Sequence, residues 1–142
     1  MDYSYEMFQD GINDIVEQID SSEPSHFDYV IGLTRGGLIP AVVLSHRLDV
    51  PMLALNFQTR DSNLRHIPNK IKNILKNKNV LIVEDIIDSG ETLTLLIKEF
   101  DSFCNYKIAA LIYNDEQKID CNYFNVTISR SVNSDWINFW WE

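Results

Sequence analysis

The stretch Val80-Leu-Ile-Val-Glu-Asp-Ile-Ile-Asp-Ser-Gly-Glu-Thr92 places an apolar run directly before two adjacent carboxylates, and a third carboxylate follows three residues later. The run predicts a buried strand that carries acidic side chains at its C-terminal end. Beyond it, apolar residues recur at helical spacing from Leu93 to Phe100, which predicts a tight turn and then a helix. A strand, a polar turn and a helix N-terminus together suit a phosphate group, because the first helical amides lack partners within the helix.

The turn at 88–92 carries the groups that a phosphate monoester needs. Ser89 and Thr92 supply hydroxyls, and Gly90 lets the backbone approach a ligand closely. Packing alone does not explain the acids, since three carboxylates crowded at a strand end repel each other unless a cation or a ligand relieves them. An ordinary core strand with a capped helix behind it accounts only for the apolar residues.

A second strand-to-helix turn has the same character. Thr34-Arg-Gly-Gly37 separates an apolar strand at 27–33 from a helix at 38–48, which tolerates Pro40 because this residue lies in the first turn. Four of the five glycines lie in or beside these two turns. Tight packing between strand and helix would explain one glycine but not Arg35, so we interpret the turn as a second anion site.

Further apolar segments complete an α/β pattern. Spacing predicts an N-terminal helix at about 4–20, strands at 51–57 and 108–113, and an edge strand at 123–128. We therefore expect a single α/β domain over residues 1–142, with a mainly parallel sheet flanked by helices on both faces. Its ligand crevice is expected at the C-terminal ends of the strands.

Composition and charge narrow the classes of function. A chain of 142 residues with 45% hydrophobic content fits one globular domain. Cys104 and Cys121 lack CxxC or His-rich surroundings, so neither a zinc site nor a disulfide framework is expected. Without an apolar run of ~18 residues or a signal-peptide pattern, a soluble cytoplasmic protein with no membrane partner is expected. The net charge of −9 argues against nucleic-acid binding as the main task.

The basic residues are unevenly distributed. Six of the twelve lie between Arg60 and Lys78, directly before the acidic strand. This segment either gathers a polyanionic substrate or is a solvated surface loop, and the sequence favours neither. The polar stretch at about 58–70 has no periodicity, so we predict a mobile loop there.

The motif at 80–92 resembles the phosphoribosyl pyrophosphate (PRPP) signature of type I phosphoribosyltransferases at every position. Thr34-Arg-Gly-Gly37 is similar to the pyrophosphate loop of that family, which is often built around a non-proline cis peptide. The end of the chain, Trp136-Ile-Asn-Phe-Trp-Trp-Glu142, is similar to the C-terminal segment of xanthine-guanine phosphoribosyltransferases, where an aromatic ring stacks on the purine. The resemblance implies PRPP and a nucleobase as substrates, Mg²⁺ as cofactor, closure of the loop over the reaction, and a homodimer or homotetramer.

The resemblance also implies roles for individual residues. Asp88 would contact N7 of a purine as general base, and Glu84 and Asp85 would hold the ribose hydroxyls and the metal, with Asp85 as the direct Mg²⁺ ligand. The other implied substrate contacts are Arg35, Gly36 and Gly37 at the pyrophosphate, Ser89, Gly90, Glu91 and Thr92 at the 5′-phosphate, and Asn114, Trp136 and Ile137 at the base, the last two in a base-binding segment at about 129–142.

One position departs from the family pattern. Asn114 stands where purine-specific relatives commonly have a lysine that contacts the purine 6-oxygen, and an amide can either donate or accept. Three functions therefore stay open: transfer to a 6-oxopurine, transfer to a pyrimidine or another nitrogen acceptor, and a non-catalytic PRPP-binding regulator. The acids, Arg35 and the net charge of −9 argue against the regulator.

Overall fold

The computed structural model describes residues 1–23, 25–57 and 66–142. The elements in chain order are β1 (Asp2–Tyr3), α1 (Tyr5–Asp20), β2 (Tyr29–Leu33), α2 (Leu38–Leu48), β3 (Met52–Leu55), α3 (Asn69–Leu75), β4 (Asn79–Ile87), α4 (Glu91–Phe100), β5 (Asn105–Asn114), β6 (Tyr123–Ile128) and β7 (Asn138–Phe139). Most of the loop predicted at 58–70 lies outside the described residues, and α3 begins within its last part.

Within the described residues, five parallel strands form the central sheet in the order β3-β2-β4-β5-β6. The predicted α/β class with a mainly parallel sheet is therefore confirmed, and β6 is at the edge as expected. From β2 the chain proceeds to β3 on one side, whereas β4 leads to β5 and β6 on the other. The switch point of the sheet therefore lies between β2 and β4, and in open α/β sheets ligands bind at this point, beyond the C-terminal ends of the strands.

Both faces of the sheet are covered by helices. In β4, Leu81 and Val83 pack with α1 and α2, whereas Val80 and Ile82 pack with α3 and α4. All four side chains are at most 1% exposed. A strand that is buried on both faces consists of apolar residues in sequence, which is why the run at 80–83 predicted it.

The central strand is longer than its apolar run. Because Glu84 pairs with Ala110 and Ile86 with Ile112, β4 continues along β5 through the acidic residues. Glu84 and Asp85 therefore lie inside the strand, and the turn begins only at Asp88. By contrast, the helix predicted at 38–48 and the strand predicted at 123–128 have the predicted bounds.

A second, two-stranded parallel sheet, which no pattern in the sequence predicted, joins the two ends of the chain. β1 pairs with β7, and Tyr3 and Phe139 are both buried. The Trp140 amide donates to the Tyr3 carbonyl at 3.1 Å. This pairing fixes the segment that follows Trp136 against α1. Among the described helices, none has the length and apolarity to span a membrane.

Candidate functional site

The turn after β2 and the acidic part of β4 touch each other at the switch point. A methyl group built on Gly36 would overlap the Asp85 carboxylate and lie 2.9 Å from its Oδ1, so only glycine allows this approach. The peptide between Thr34 and Arg35 is cis, as the resemblance implied. The Gly37 amide donates to the Leu33 carbonyl at 2.9 Å. Both glycines were predicted to contact pyrophosphate. The Gly37 amide is already used in this hydrogen bond, which closes the turn between β2 and α2.

The turn after β4 leads directly into α4. Gly90 has a φ of 75°, in the left-handed region that glycine favours, and α4 begins at the next residue. A concave space of about 160 Å³ adjoins this turn, and its lining includes Glu84 together with all of residues 88–92. The structure thus brings the predicted phosphate-binding residues and one acid to the same cavity, at the positive end of a helix.

The two acids of β4 are held in a site that disfavours their charge. Burial, followed by the charge of Asp85, raises the pKa of Glu84 well above its usual range. Burial also raises the pKa of Asp85 to about 7, against the opposing hydrogen bond from the Ile86 amide. The Glu142 side chain contributes to the raised pKa of Asp85 through a hydrogen bond and its charge.

These acids fit a magnesium ion that the substrate helps to hold. Within residues 1–23, 25–57 and 66–142, no group of three or more acidic, histidine or cysteine side chains is arranged to hold a metal by itself. Mg²⁺ usually binds one or two carboxylates and completes its shell with water and substrate phosphates. Asp85 and Glu84 offer oxygen ligands of this kind, and a bound cation would favour the charged forms that burial disfavours.

Asp88 forms an ion pair that the sequence analysis missed. The Arg130 guanidinium donates from Nε to Oδ1 and from Nη2 to Oδ2 of Asp88, both at 2.9 Å. The Asn114 amide donates to the Asp88 carbonyl at 3.1 Å, and its oxygen accepts from the Glu116 amide at 3.2 Å. Asn114 is 6% exposed, so in this structure it ties two turns together. Its predicted contact with a base stays a prediction.

Comparison with known proteins places the chain in a family. A family model described as the phosphoribosyl transferase domain matches residues 4–142. The chain belongs to this family. This result confirms the resemblance that was based on the motif at 80–92 and the turn at 34–37.

Known phosphoribosyltransferases with different acceptors are similar to the chain. A xanthine-guanine phosphoribosyltransferase of Cereibacter sphaeroides is 34% identical over 73 residues, which cover 47% of this chain and 44% of that protein. Orotate phosphoribosyltransferase 2 of Mesorhizobium japonicum is 36% identical over 76 residues, which cover 54% of this chain and 37% of that protein. The chain thus aligns with less than half the length of either relative, and the relatives divide between purine and pyrimidine acceptors.

A solved structure matches the whole chain. The purine phosphoribosyltransferase from Pyrococcus horikoshii Ot3 is 28% identical, with a TM-score of 0.79, and the match covers 100% of this chain and 93% of that one. A xanthine-guanine-hypoxanthine phosphoribosyltransferase from Helicobacter pylori, at 22% identity and a TM-score of 0.70, shares the fold.

The C-terminal segment contains two residues that were predicted to contact a base, and one is exposed while the other is buried. Trp136 is 77% exposed, whereas the Ile137 side chain is 6% exposed and belongs to the core cluster with α1 and α2. A contact between Ile137 and a base would therefore involve its backbone. Sequence reasoning missed Arg130 and Glu142, because each meets its partner carboxylate only through the tertiary fold.

Proposed function

We propose that this phosphoribosyltransferase joins a 6-oxopurine such as guanine, xanthine or hypoxanthine to PRPP. The products are the nucleoside 5′-monophosphate and pyrophosphate. One observation carries the proposal: the turns at 34–37 and 88–92 flank the raised-pKa acids Glu84 and Asp85 at the switch point of the sheet. A substrate with a phosphate at one end, a pyrophosphate at the other and hydroxyls between them matches that order of groups.

The reaction makes opposite demands at its two ends. When the bond between C1′ and pyrophosphate breaks, positive charge develops on the ribose and negative charge on the leaving group. Glu84 and Asp85 would hold the ribose hydroxyls and stabilise the developing positive charge. Arg35, with the backbone at Gly36, would bind the departing pyrophosphate. Bound Mg²⁺ would supply further positive charge to the leaving group.

The acceptor base would bind on the other side of the ribose. Trp136 presents an exposed indole for a purine to stack on. As N9 attacks C1′, the proton on N7 must leave, and the Asp88 carboxylate would accept it as general base. The turn at 88–92 would hold the 5′-phosphate through the first amides of α4 and the hydroxyls of Ser89 and Thr92.

A pyrimidine acceptor is the second candidate. It is supported by the orotate phosphoribosyltransferases among the relatives and by Asn114 in place of the usual lysine. The exposed Trp136 and the purine enzyme from Pyrococcus horikoshii, which matches over the whole chain, favour the purine. We also propose a homodimer or homotetramer, since Tyr5, Ile39 and Trp140 leave apolar surface exposed.

A product assay tests the proposal. The protein would be incubated with PRPP and Mg²⁺, and guanine, xanthine, hypoxanthine, adenine and uracil or orotate would be offered separately before chromatography of the nucleotides. We expect product with a 6-oxopurine, and its loss in an Asp88→Asn variant. If only uracil or orotate gave product, the acceptor would be a pyrimidine and not a purine. If no base gave product, the proposed transferase activity would be refuted.

A further inference from the structure

Arg130 holds the predicted general base by a two-point contact. Its Nε and Nη2 each donate to a different oxygen of Asp88 at 2.9 Å, which is the planar fork that arginine forms with a carboxylate. The Arg130 side chain is 23% exposed and the Asp88 side chain is 48% exposed. Ion pairs this close to solvent usually contribute little to folding, but a bidentate pair such as this one can contribute more, so the test below measures folding separately from base binding.

The same guanidinium also holds the backbone that leads to Trp136. Its Nη1 donates to the Asp135 carbonyl at 2.7 Å and to the Asn133 carbonyl at 3.4 Å. Arg130 therefore connects two parts of the site that are far apart in sequence: the carboxylate at the end of β4 and the residue directly before the exposed indole.

Arg130 is itself held in place by its neighbours. The Ser129 hydroxyl donates to Asp115 at 2.7 Å, and the Ser131 amide donates to Glu116 at 3.0 Å. These contacts fasten both residues beside Arg130 to the turn after β5. Because the flanking backbone is held and the guanidinium itself donates to Asp88, Asn133 and Asp135, the side chain is oriented before any substrate arrives, which reduces the cost of ordering it during binding.

We propose that Arg130 is a positioning residue for the acceptor base. It sets the distance between the Asp88 carboxylate and the Trp136 platform, so that a base stacked on the indole presents an N–H to the carboxylate. An ionised carboxylate has about four acceptor positions, so the two taken by Arg130 leave others for that N–H. The acceptor must accordingly carry a ring N–H beside Asp88 while another ring nitrogen attacks. This inference rests on the function proposed above.

The test compares Arg130→Ala, Arg130→Lys and a control, Lys107→Ala. Lys107 is also a cation that donates to a backbone carbonyl, that of Glu23 at 3.0 Å, but it lies near the start of β5, away from the acids. KM would be measured separately for the base and for PRPP, with kcat and the melting temperature of each variant. We expect Arg130→Ala to raise KM for the base roughly 10- to 100-fold. KM for PRPP should change less than about threefold.

The conservative variant separates positioning from folding. Lysine keeps the charge but cannot form the fork, so Arg130→Lys should fall between the wild type and Arg130→Ala in KM for the base. Lys107→Ala should leave both KM values unchanged. An unchanged KM for the base in Arg130→Ala, or a parallel rise in both KM values together with a lower melting temperature, would overturn the inference alone. A wild-type protein that forms no nucleotide with any base would instead overturn the proposed function and the inference with it.

Discussion

Gly36→Ala should damage the site by a known steric route. The new methyl group would overlap the Asp85 carboxylate, which is 8% exposed. Even its more distant oxygen, Oδ1, would be 2.9 Å from the methyl carbon, against the ~3.5 Å at which carbon and its neighbours pack comfortably, and Oδ2 would overlap the methyl group outright. Either Asp85 or the turn at 34–37 must therefore move by about 1 Å or more.

A displacement of this size has a predictable cost. Misplacing a catalytic group by about 1 Å lowers the rate by roughly 100-fold, so we expect that loss in kcat/KM for PRPP. The overlap should also lower the free energy of unfolding by about 1–3 kcal/mol, as overpacked substitutions usually do. The two effects are measured independently, by product formation with saturating base and by urea denaturation.

A double-mutant cycle with Asp85→Ala identifies the route. Removing the carboxylate removes the overlap, so the double variant should lose no more activity than Asp85→Ala alone, and part of the lost stability should return. Additive losses would mean that the added methyl group acts elsewhere. If Gly36→Ala kept its kcat/KM within about threefold of the wild type, the contact between the two turns would be irrelevant to catalysis and the reasoning would be refuted.

Three further predictions follow from individual side chains. Trp136→Ala should raise KM for the base by about tenfold and leave KM for PRPP unchanged in steady-state assays, because base stacking on an aromatic ring contributes ~1–3 kcal/mol. Burial raises the pKa of Asp85 from 3.8 to about 7 in the folded protein, so the stability linked to this carboxyl is complete below 3.8 and is lost as the pH rises to about 7. Urea denaturation at a series of pH values, with a chelator present, would measure how the free energy of unfolding changes with pH. Asp85→Asn should remove up to about 4 kcal/mol of that change, and the same change in both proteins would contradict the prediction. Burial also raises the pKa of the Cys121 thiol to about 12, so iodoacetamide at pH ~8 should alkylate Cys121 far more slowly than in urea, as mass spectrometry would show.

The parts of the fold that local sequence determines could be predicted. The helix from Leu38 to Leu48 begins and ends where its apolar spacing and Pro40 indicate. The tight turn at 88–92 and the helix that follows it were predicted from the turn motif, and the structure adds that Gly90 has a positive φ there. In these cases each residue and the neighbours that decide its conformation lie within a few positions of one another.

The features that sequence reasoning missed depend on distant pairs. Arg130 meets Asp88 across 42 positions, and Tyr3 joins Phe139 from the other end of the chain. Arg130 and Tyr3 belong to no periodic pattern or local motif, so the residues around them in sequence do not indicate a partner. The continuation of β4 beyond Glu84 was missed for a related reason. Charged residues are unfavourable in strands, and here pairing with β5, which the sequence does not indicate, keeps them in the strand.

The central claim is that this protein transfers the phosphoribosyl group of PRPP to a base. ³¹P NMR of one sample tests it most directly, with PRPP and Mg²⁺ followed before and after addition of a 6-oxopurine. We expect free pyrophosphate and a nucleotide 5′-phosphate to appear in equal amounts only after the base is added. PRPP that stays intact with every base, or pyrophosphate release that does not depend on a base, would contradict the claim.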